Sequence, residues 1–230
     1  MSNIKMRLCF SKQGALRFIG HLDFLRVFQQ TIRRAGVPAA FSQGFNPHLL
    51  ISFALPLPLG MESVHDYADL TLEKEMCHNE IVKRLNAVAP DGLWIYNAYP
   101  AENKVASVVS HASYTFENER MFTDAQPETG AKLQSAIKEI FASASIIVPK
   151  KTKNGIQDTD IRPDIFDIWV EGFPDGGGHV LLYLSAGSSR FLNPITVLKF
   201  LFEKANYDMA VSPISIKRAD LYQGANFEEL

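Results

Sequence analysis

Cysteine is scarce in this chain. Only two occur among 230 residues, Cys9 and Cys77, and they lie far apart in the sequence. Their spacing matches neither the ligand pattern of a zinc site nor a disulfide framework. We therefore expect a protein of a reducing, cytoplasmic compartment that needs neither a bound metal nor a disulfide to fold.

Long apolar runs and phosphate-binding glycine loops are also absent. No stretch reaches the roughly 18 uncharged apolar residues of a membrane-spanning helix, and the N-terminal MSNIKMRLCFSKQG lacks the apolar core of a secretion signal. The run GFPDGGGH at 172–179 is typical of a hairpin turn, because no helix pattern follows it as in a nucleotide-binding fingerprint. The sequence thus predicts no association with membranes.

What the chain does contain is a large apolar fraction and an uneven distribution of charge. Hydrophobic residues make up 47% of it, enough for a sizeable core. The net charge is -2, yet residues 1–60 carry a balance of +6 and the remainder a balance of -8. A local positive region attracts phosphates or an acidic partner. The alternative is that scattered basic residues simply solvate one face.

Hydrophobic periodicity in the first half predicts the order strand, helix, strand, strand, helix, strand. Met6, Leu8 and Phe10 alternate with polar residues, whereas Leu25, Phe28, Ile32 and Ala35 follow a helical spacing that ends at Gly36. The predicted elements are 5–10, 21–35, 49–55, 67–72, 76–88 and 93–99. This order is typical of a ferredoxin-like unit. Trp94, Tyr96 and Tyr99 are expected to lie mostly in the core, with some on the open face of the sheet.

The second half repeats the order less clearly. Its predicted elements are 113–116, 131–141, 146–148, 180–185, 194–204 and 214–220, with Asn193 as a helix cap and Pro194 in the first turn. The predicted architecture is therefore α+β, with two tandem ferredoxin-like units built on antiparallel sheets, 1–103 and 104–230. Residues 150–169 are either a long hairpin arm or an irregular excursion.

A polar stripe follows the helix predicted from His21. Asp23, Arg26, Gln30, Arg33 and Arg34 recur at steps of three and four residues, opposite the apolar face. Guanidinium groups in a row suit phosphate oxygens. A structural interpretation is equally direct for Asp23 and Arg26, which suit the helix dipole and each other. We favour the structural interpretation for that pair and phosphate binding for Arg33 and Arg34, because Lys12 and Arg17 precede the helix.

The loop 41–48, FSQGFNPH, presents a second group of polar side chains. Gly44 permits a crowded backbone and Asn46-Pro47 favours a turn. Ser42, Gln43, Asn46 and His48 offer hydrogen-bond donors and acceptors, while Phe45 offers a ring on which a planar group can stack. A purely local turn accounts for Gly44 and Asn46 but less well for Gln43 and His48. We therefore predict a binding site here.

The run GHLDFLRVFQQTIRRAGVPAAFSQGFNPHLLISFALPLPLGMES at 20–63 resembles the bacterial radical-SAM-linked family. That family is a domain of unknown function found fused to, or encoded beside, cobalamin-binding radical SAM proteins. The resemblance is close over 5–72 and continues to about Tyr222. Two positions depart from the family pattern: its Ser before His21 is Gly20 here, and its Pro after Asn-Pro-His is Leu49. The first departure removes a hydroxyl group from the predicted site.

This chain has no closely spaced cysteine triplet to hold a radical SAM cluster. The resemblance therefore implies a non-catalytic substrate-recognition module, without a cofactor of its own, for a cobalamin-binding radical SAM partner. RNA is the expected substrate by analogy with the tandem ferredoxin-like units of CRISPR repeat-processing nucleases. The predicted ligand-binding residues are Arg17, His21, Asp23, Arg26, Arg33, Arg34, Ser42, Gln43, Gly44, Phe45, Asn46 and His48.

Two alternatives stay open. One is a metal-independent RNA endonuclease or small-substrate enzyme in which His48 or His21 acts as general acid or base. The other is a purely structural partner that binds the radical SAM protein through the same surface. A metal site at His21, Asp23 and His48 is not expected, because a His-x-Asp pair on one helical turn directs its side chains to different faces.

Overall fold

The computed structural model describes residues 4–118, 128–152, 155–172, 177–208, 210–224 and 226–230. These residues form a mixed α+β protein with one nine-stranded, mostly antiparallel sheet and a separate two-stranded hairpin. Over the same ranges, every helix is too short or too polar to cross a bilayer.

The first half places two helices on one face of four strands. The strands lie in the order β4-β1-β3-β2, and neighbouring strands are antiparallel. Met6, Leu8 and Phe10 lie on the face that packs against both helices, as the alternation in the sequence predicts. The elements are β1 (Ile4–Lys12), α1 (His21–Arg34), β2 (Ile51–Phe53), β3 (Glu62–Leu72), α2 (His78–Asn86) and β4 (Leu93–Pro100).

The second half has four main strands in the order β10-β5-β9-β8, again antiparallel. Its last helix begins as predicted, since the Asn193 side chain accepts a hydrogen bond from the Ile195 N–H. The elements are α3 (Val105–Val108), β5 (Val109–Asn118), α4 (Thr129–Ala142), β6 (Ile147–Thr152), β7 (Gly155–Asp160), β8 (Ile165–Gly172), β9 (Gly178–Ser185), α5 (Pro194–Lys204), β10 (Ile216–Gln223) and β11 (Glu228–Glu229).

A short parallel pairing joins the two halves into one sheet. Lys217 and Arg218 of β10 pair with Glu62 and Ser63 of β3. The Arg218 side chain is fully buried, donates to the Asp66 carboxylate and also donates to the main-chain carbonyl of Leu55. A buried charge is costly without a partner, so separating the two halves would leave both Arg218 and Asp66 without one.

The strand predicted at 146–148 is found as part of β6, but it does not join the main sheet as the ferredoxin-like order requires. β6 pairs with β7 as a separate hairpin, and Ile147 is 57% exposed. The place in the sheet belongs to β8, because Ile165 and Ile168 bury an apolar face there. Residues 150–169 therefore contain a hairpin arm followed by the start of an edge strand.

One further prediction changes, and another falls partly outside the described residues. Phe24 replaces Leu25 in the buried face of α1, beside Phe28, Thr31 and Ile32. The predicted glycine-rich turn joins the antiparallel strands β8 and β9, although its residues 173–176 lie outside the described ranges.

Candidate functional site

The loop 41–48 is closed at its base by a set of short hydrogen bonds. The Ser42 N–H donates to the His48 carbonyl at 2.8 Å, and the His48 N–H donates to Ser42 Oγ at 3.0 Å. Ser42 Oγ also lies 2.7 Å from His48 Nδ1. Phe41 and Leu49 form an isolated β-bridge just outside these bonds. The bonds hold the His48 ring in a defined place at the start of the chain that leads into β2.

The tip of this loop is exposed. Gly44 has a φ of 126°, a conformation that favours glycine. Phe45 is fully exposed, and Gln43 and Asn46 are exposed beside it. A fully exposed phenylalanine gains nothing from the fold, so its ring is available to a ligand or partner.

A cleft of about 350 Å³ opens below His48. It is lined by residues of β2 and β3, including Ser52 and Thr71, and by Lys5 and Lys104. The volume falls within the range of small-molecule sites. Two lysines and an imidazole at one cleft suit an anionic group that carries several oxygen atoms.

The acidic residue in this cleft is already neutralised. Asp69 accepts a hydrogen bond from Arg7 Nε at 2.9 Å and another from the Val105 N–H at 2.6 Å, and both ionic side chains are buried. Neither the Lys5 nor the Lys104 ammonium group has an ion-pair partner among the described residues. The cleft therefore keeps a net positive charge.

Arg33 and Arg34 lie at the same end of α1 as this loop. The Arg33 guanidinium lies 5.8 Å from the centre of the Phe41 ring, where the cation is attracted to the ring face. Arg34 donates to the Val88 carbonyl at 2.9 Å, just beyond the end of α2. Both side chains are exposed, and Arg33 extends the positive surface around the loop.

The other predicted residues lie before α1 or in its N-terminal half, and the whole helix spans 14 residues and so about 20 Å. There Arg26 is paired with Asp23 at 2.7 Å, with both side chains exposed. His21 packs edge-on against Phe53, with ring centroids 5.5 Å apart. The structure thus divides the predicted residues into two groups that cannot contact one compact ligand together.

The cations near the His21 end of α1 bind other groups of the protein itself. Arg17 donates to the Ile214 carbonyl at 3.2 Å and lies 3.5 Å from the Glu62 carboxylate. Lys12 is buried, donates to the Ile19 carbonyl at 3.0 Å and lies over the Phe24 ring. Burial lowers the pKa of the Lys12 ammonium. Arg17 therefore links the two halves, whereas Lys12 fixes the segment that leads into α1.

Four cleft-lining or exposed residues are absent from the predicted site: Lys5, Lys104, Trp94 and Tyr96. A signal exists for Lys5, since its position in β1 alternates with the buried Met6 and so predicts the opposite face. Lys104 gives no such signal, because it lies in the polar segment between the halves. The prediction that the β4 aromatics are mostly core is wrong for Trp94 and Tyr96, which are 53% and 43% exposed.

Comparison with known proteins identifies a family for most of the chain. The model of a family described as "Uncharacterized protein conserved in bacteria (DUF2344)" matches residues 5–194. No curated protein matches the chain. The crystal structure of an unknown protein from Galdieria sulphuraria is 12% identical and covers 97% of this chain and 100% of its own, with a TM-score of 0.29. The crystal structure of a putative glycine cleavage system transcriptional repressor is 8% identical and covers 90% of each chain, with a TM-score of 0.23. Neither TM-score supports an argument about fold or function.

Proposed function

The chain belongs to the family of uncharacterized proteins conserved in bacteria (DUF2344), and we propose that it is a non-catalytic module that binds RNA for an enzyme partner. The observation that carries this proposal is the positive cleft formed by Lys5, Lys104 and His48. Its two ammonium groups have no ion-pair partner among the described side chains, whereas nearby Arg7 is fully engaged with Asp69. Unpaired cations at a concave site are suited to phosphate oxygens.

The loop beside the cleft supports a nucleic acid over a simple anion. Phe45 is fully exposed at the loop tip, and Arg33 lies on the Phe41 ring at the loop base. Proteins that hold single strands combine positive grooves with exposed aromatic rings on which bases stack. A small inorganic anion would need the cations but not the rings.

We further propose that residues 1–103 and 104–230 are two tandem ferredoxin-like units. In support, each half places its fourth, first, third and second main strands in that order, with two helices between them in sequence. The hairpin β6–β7 would then be an insertion in the second unit. The partner in this proposal is a cobalamin-binding radical SAM protein, which rests on the resemblance of residues 20–63.

The test is fluorescence anisotropy with a fluorescein-labelled, 12-nucleotide single-stranded RNA at low salt. We expect Lys5→Ala/Lys104→Ala to weaken binding roughly tenfold, because two ammonium groups no longer bind phosphates. Arg26→Ala is the matched control, since Arg26 is exposed in the N-terminal half of α1 and is already paired with Asp23, and it should bind as the wild type does. Absence of RNA binding by the wild type at low salt would overturn the proposal and favour a purely structural role.

A second candidate is RNA cleavage or small-substrate chemistry at His48, which the 2.7 Å contact between Ser42 Oγ and His48 Nδ1 favours. Against it, Ser42 Oγ also accepts the His48 N–H and so closes the loop. Incubating the labelled RNA with the protein and resolving the products on a denaturing gel separates the two functions. Fragments formed by the wild type and absent with His48→Ala would establish the enzyme, and intact RNA would support the binding module.

A further inference from the structure

Two exposed aromatic side chains lie on the face of the sheet away from α1 and α2, which we call the open face. Trp94 and Tyr96 of β4 alternate with Leu93 and Ile95, which are buried in the core of the first half. Trp94 is 53% exposed and Tyr96 is 43% exposed. Both rings are therefore held by a rigid strand while much of their surface faces solvent.

A neighbouring histidine fixes the orientation of Tyr96. The rings of His65 and Tyr96 meet edge to face, with centroids 5.1 Å apart. His65 Nδ1 lies 3.1 Å from one oxygen of Asp220, whose other oxygen accepts the Tyr67 hydroxyl at 2.9 Å. Because Asp220 belongs to β10 and His65 to β3, both halves of the chain support this aromatic surface. We name Trp94, Tyr96 and His65 the aromatic platform.

The platform lies on the same face of the sheet as the positive cleft. Lys5 alternates with Met6, Leu8 and Phe10, which face the helices, so Lys5 lies on the open face. Ser11, six residues further along β1, pairs directly with Trp94. At the rise of a β-strand, cleft and platform are about 20 Å apart. The segment that carries Asn103 and Val105 crosses the face between them, and Lys104 of that segment lines the cleft.

We propose that the aromatic platform stacks unpaired bases of a single-stranded RNA whose phosphates are held at the cleft, an inference that rests on the proposed function. Bases in a duplex are stacked on one another and cannot reach a ring on a flat sheet, whereas unpaired bases can. Unpaired cations and exposed rings on one face of the sheet suit the phosphates and bases of one strand, which favours a nucleic acid over a protein at this face.

The second tryptophan of the chain offers a natural control. Trp169 is 64% exposed on β8, but its indole N–H donates to the Asp167 carboxylate at 2.7 Å. β8 and β4 are the opposite edges of the main strand path, about 30 Å apart at the usual strand spacing. Trp169 should therefore not take part in stacking.

Tryptophan fluorescence tests this assignment, because the chain contains only Trp94 and Trp169. Trp169→Phe leaves Trp94 as the reporter, and Trp94→Phe leaves Trp169; each is titrated with 12-nucleotide oligoadenylate. We expect quenching in Trp169→Phe and unchanged emission in Trp94→Phe. An abasic oligonucleotide of the same length and an RNA duplex should leave Trp94 unquenched. Trp94→Ala should weaken binding of oligoadenylate roughly 5- to 100-fold, the loss of one base–ring stack.

The same titrations, followed also by anisotropy, separate the two proposals. RNA binding that depends on Lys5 and Lys104 but leaves Trp94 unquenched would overturn the aromatic platform and retain the cleft. Equal quenching of Trp94 and Trp169, or equal affinity for oligoadenylate and the duplex, would also overturn it. Absence of any anisotropy change would overturn the proposed function itself. A circular dichroism spectrum of Trp94→Ala that matches the wild type excludes misfolding as the reason for its weaker binding.

Discussion

Basic side chains lie near both ends of helix α1, but the groups that they bind differ. At the His21 end, Arg17 is held by Glu62 and the Ile214 carbonyl, and Arg26 is paired with Asp23. At the Arg34 end, the cleft keeps two lysines that no described carboxylate neutralises. Residue type alone therefore does not distinguish a structural cation from a ligand-binding one; the partner does.

This comparison separates two experimental readouts. A cation whose donors are satisfied inside the protein contributes to stability, and its removal should lower the free energy of unfolding. A cation with unsatisfied donors at the surface contributes little to stability and should affect binding instead. Substitutions at the two ends should therefore change different quantities.

The largest expected effect is at the junction near the His21 end. Arg218→Ala leaves Asp66 buried without its partner, and we expect the free energy of unfolding to fall by about 3–5 kcal/mol. Urea denaturation followed by circular dichroism measures the change. Arg26→Ala removes an exposed pair and should change stability by no more than about 1 kcal/mol. Similar decreases for the two variants would contradict the distinction.

A crossed pair of arginine substitutions tests the comparison more finely. Arg17→Ala should lower the free energy of unfolding by about 1–2 kcal/mol, because it removes a charged hydrogen bond to Ile214, and should leave RNA affinity unchanged. Arg33→Ala should leave stability unchanged and weaken RNA binding several-fold. Denaturation and anisotropy on the same samples measure both. The comparison fails if Arg17→Ala weakens binding as much as Arg33→Ala does.

The smallest effect concerns the open face of β1 between cleft and platform. Cys9 is buried there, and burial raises the pKa of its thiol to about 12, whereas Cys77 is exposed. A chromogenic disulfide reagent at pH 8 should therefore label one thiol per folded chain and a second in denaturant. Cys77→Ser should abolish the fast labelling. Rapid reaction of both thiols in the folded protein would show that this part of the face is open.

Much of the fold can be predicted from periodicity and caps. The helix 194–204 is predicted to the residue, because Asn193 and Pro194 mark its start unambiguously. That β8 rather than 146–148 joins the main sheet could not be predicted. A short apolar run does not reveal whether it packs on the sheet or leaves it. Local pattern therefore identifies elements better than it identifies their neighbours.

The candidate site can be predicted only in part, for a similar reason. The sequence indicates that the loop 41–48 is rich in polar groups, and the structure orders His48 at a cleft. Lys104 reaches that cleft from another part of the chain, which no local pattern reveals. The grouping of Arg17 with Arg33 fails for a geometric reason: they lie near opposite ends of a helix about 20 Å long.

The most direct test of the central claim is the salt dependence of RNA binding. The logarithm of the association constant is measured against the logarithm of salt concentration for the wild type, Lys5→Ala/Lys104→Ala and Arg26→Ala. Each cation that binds a phosphate of a single strand contributes about 0.7 to the slope, so the slope of the double variant should be shallower by about 1.4. The Arg26→Ala slope should equal that of the wild type. Identical slopes for all three proteins would contradict a phosphate-binding cleft at Lys5 and Lys104.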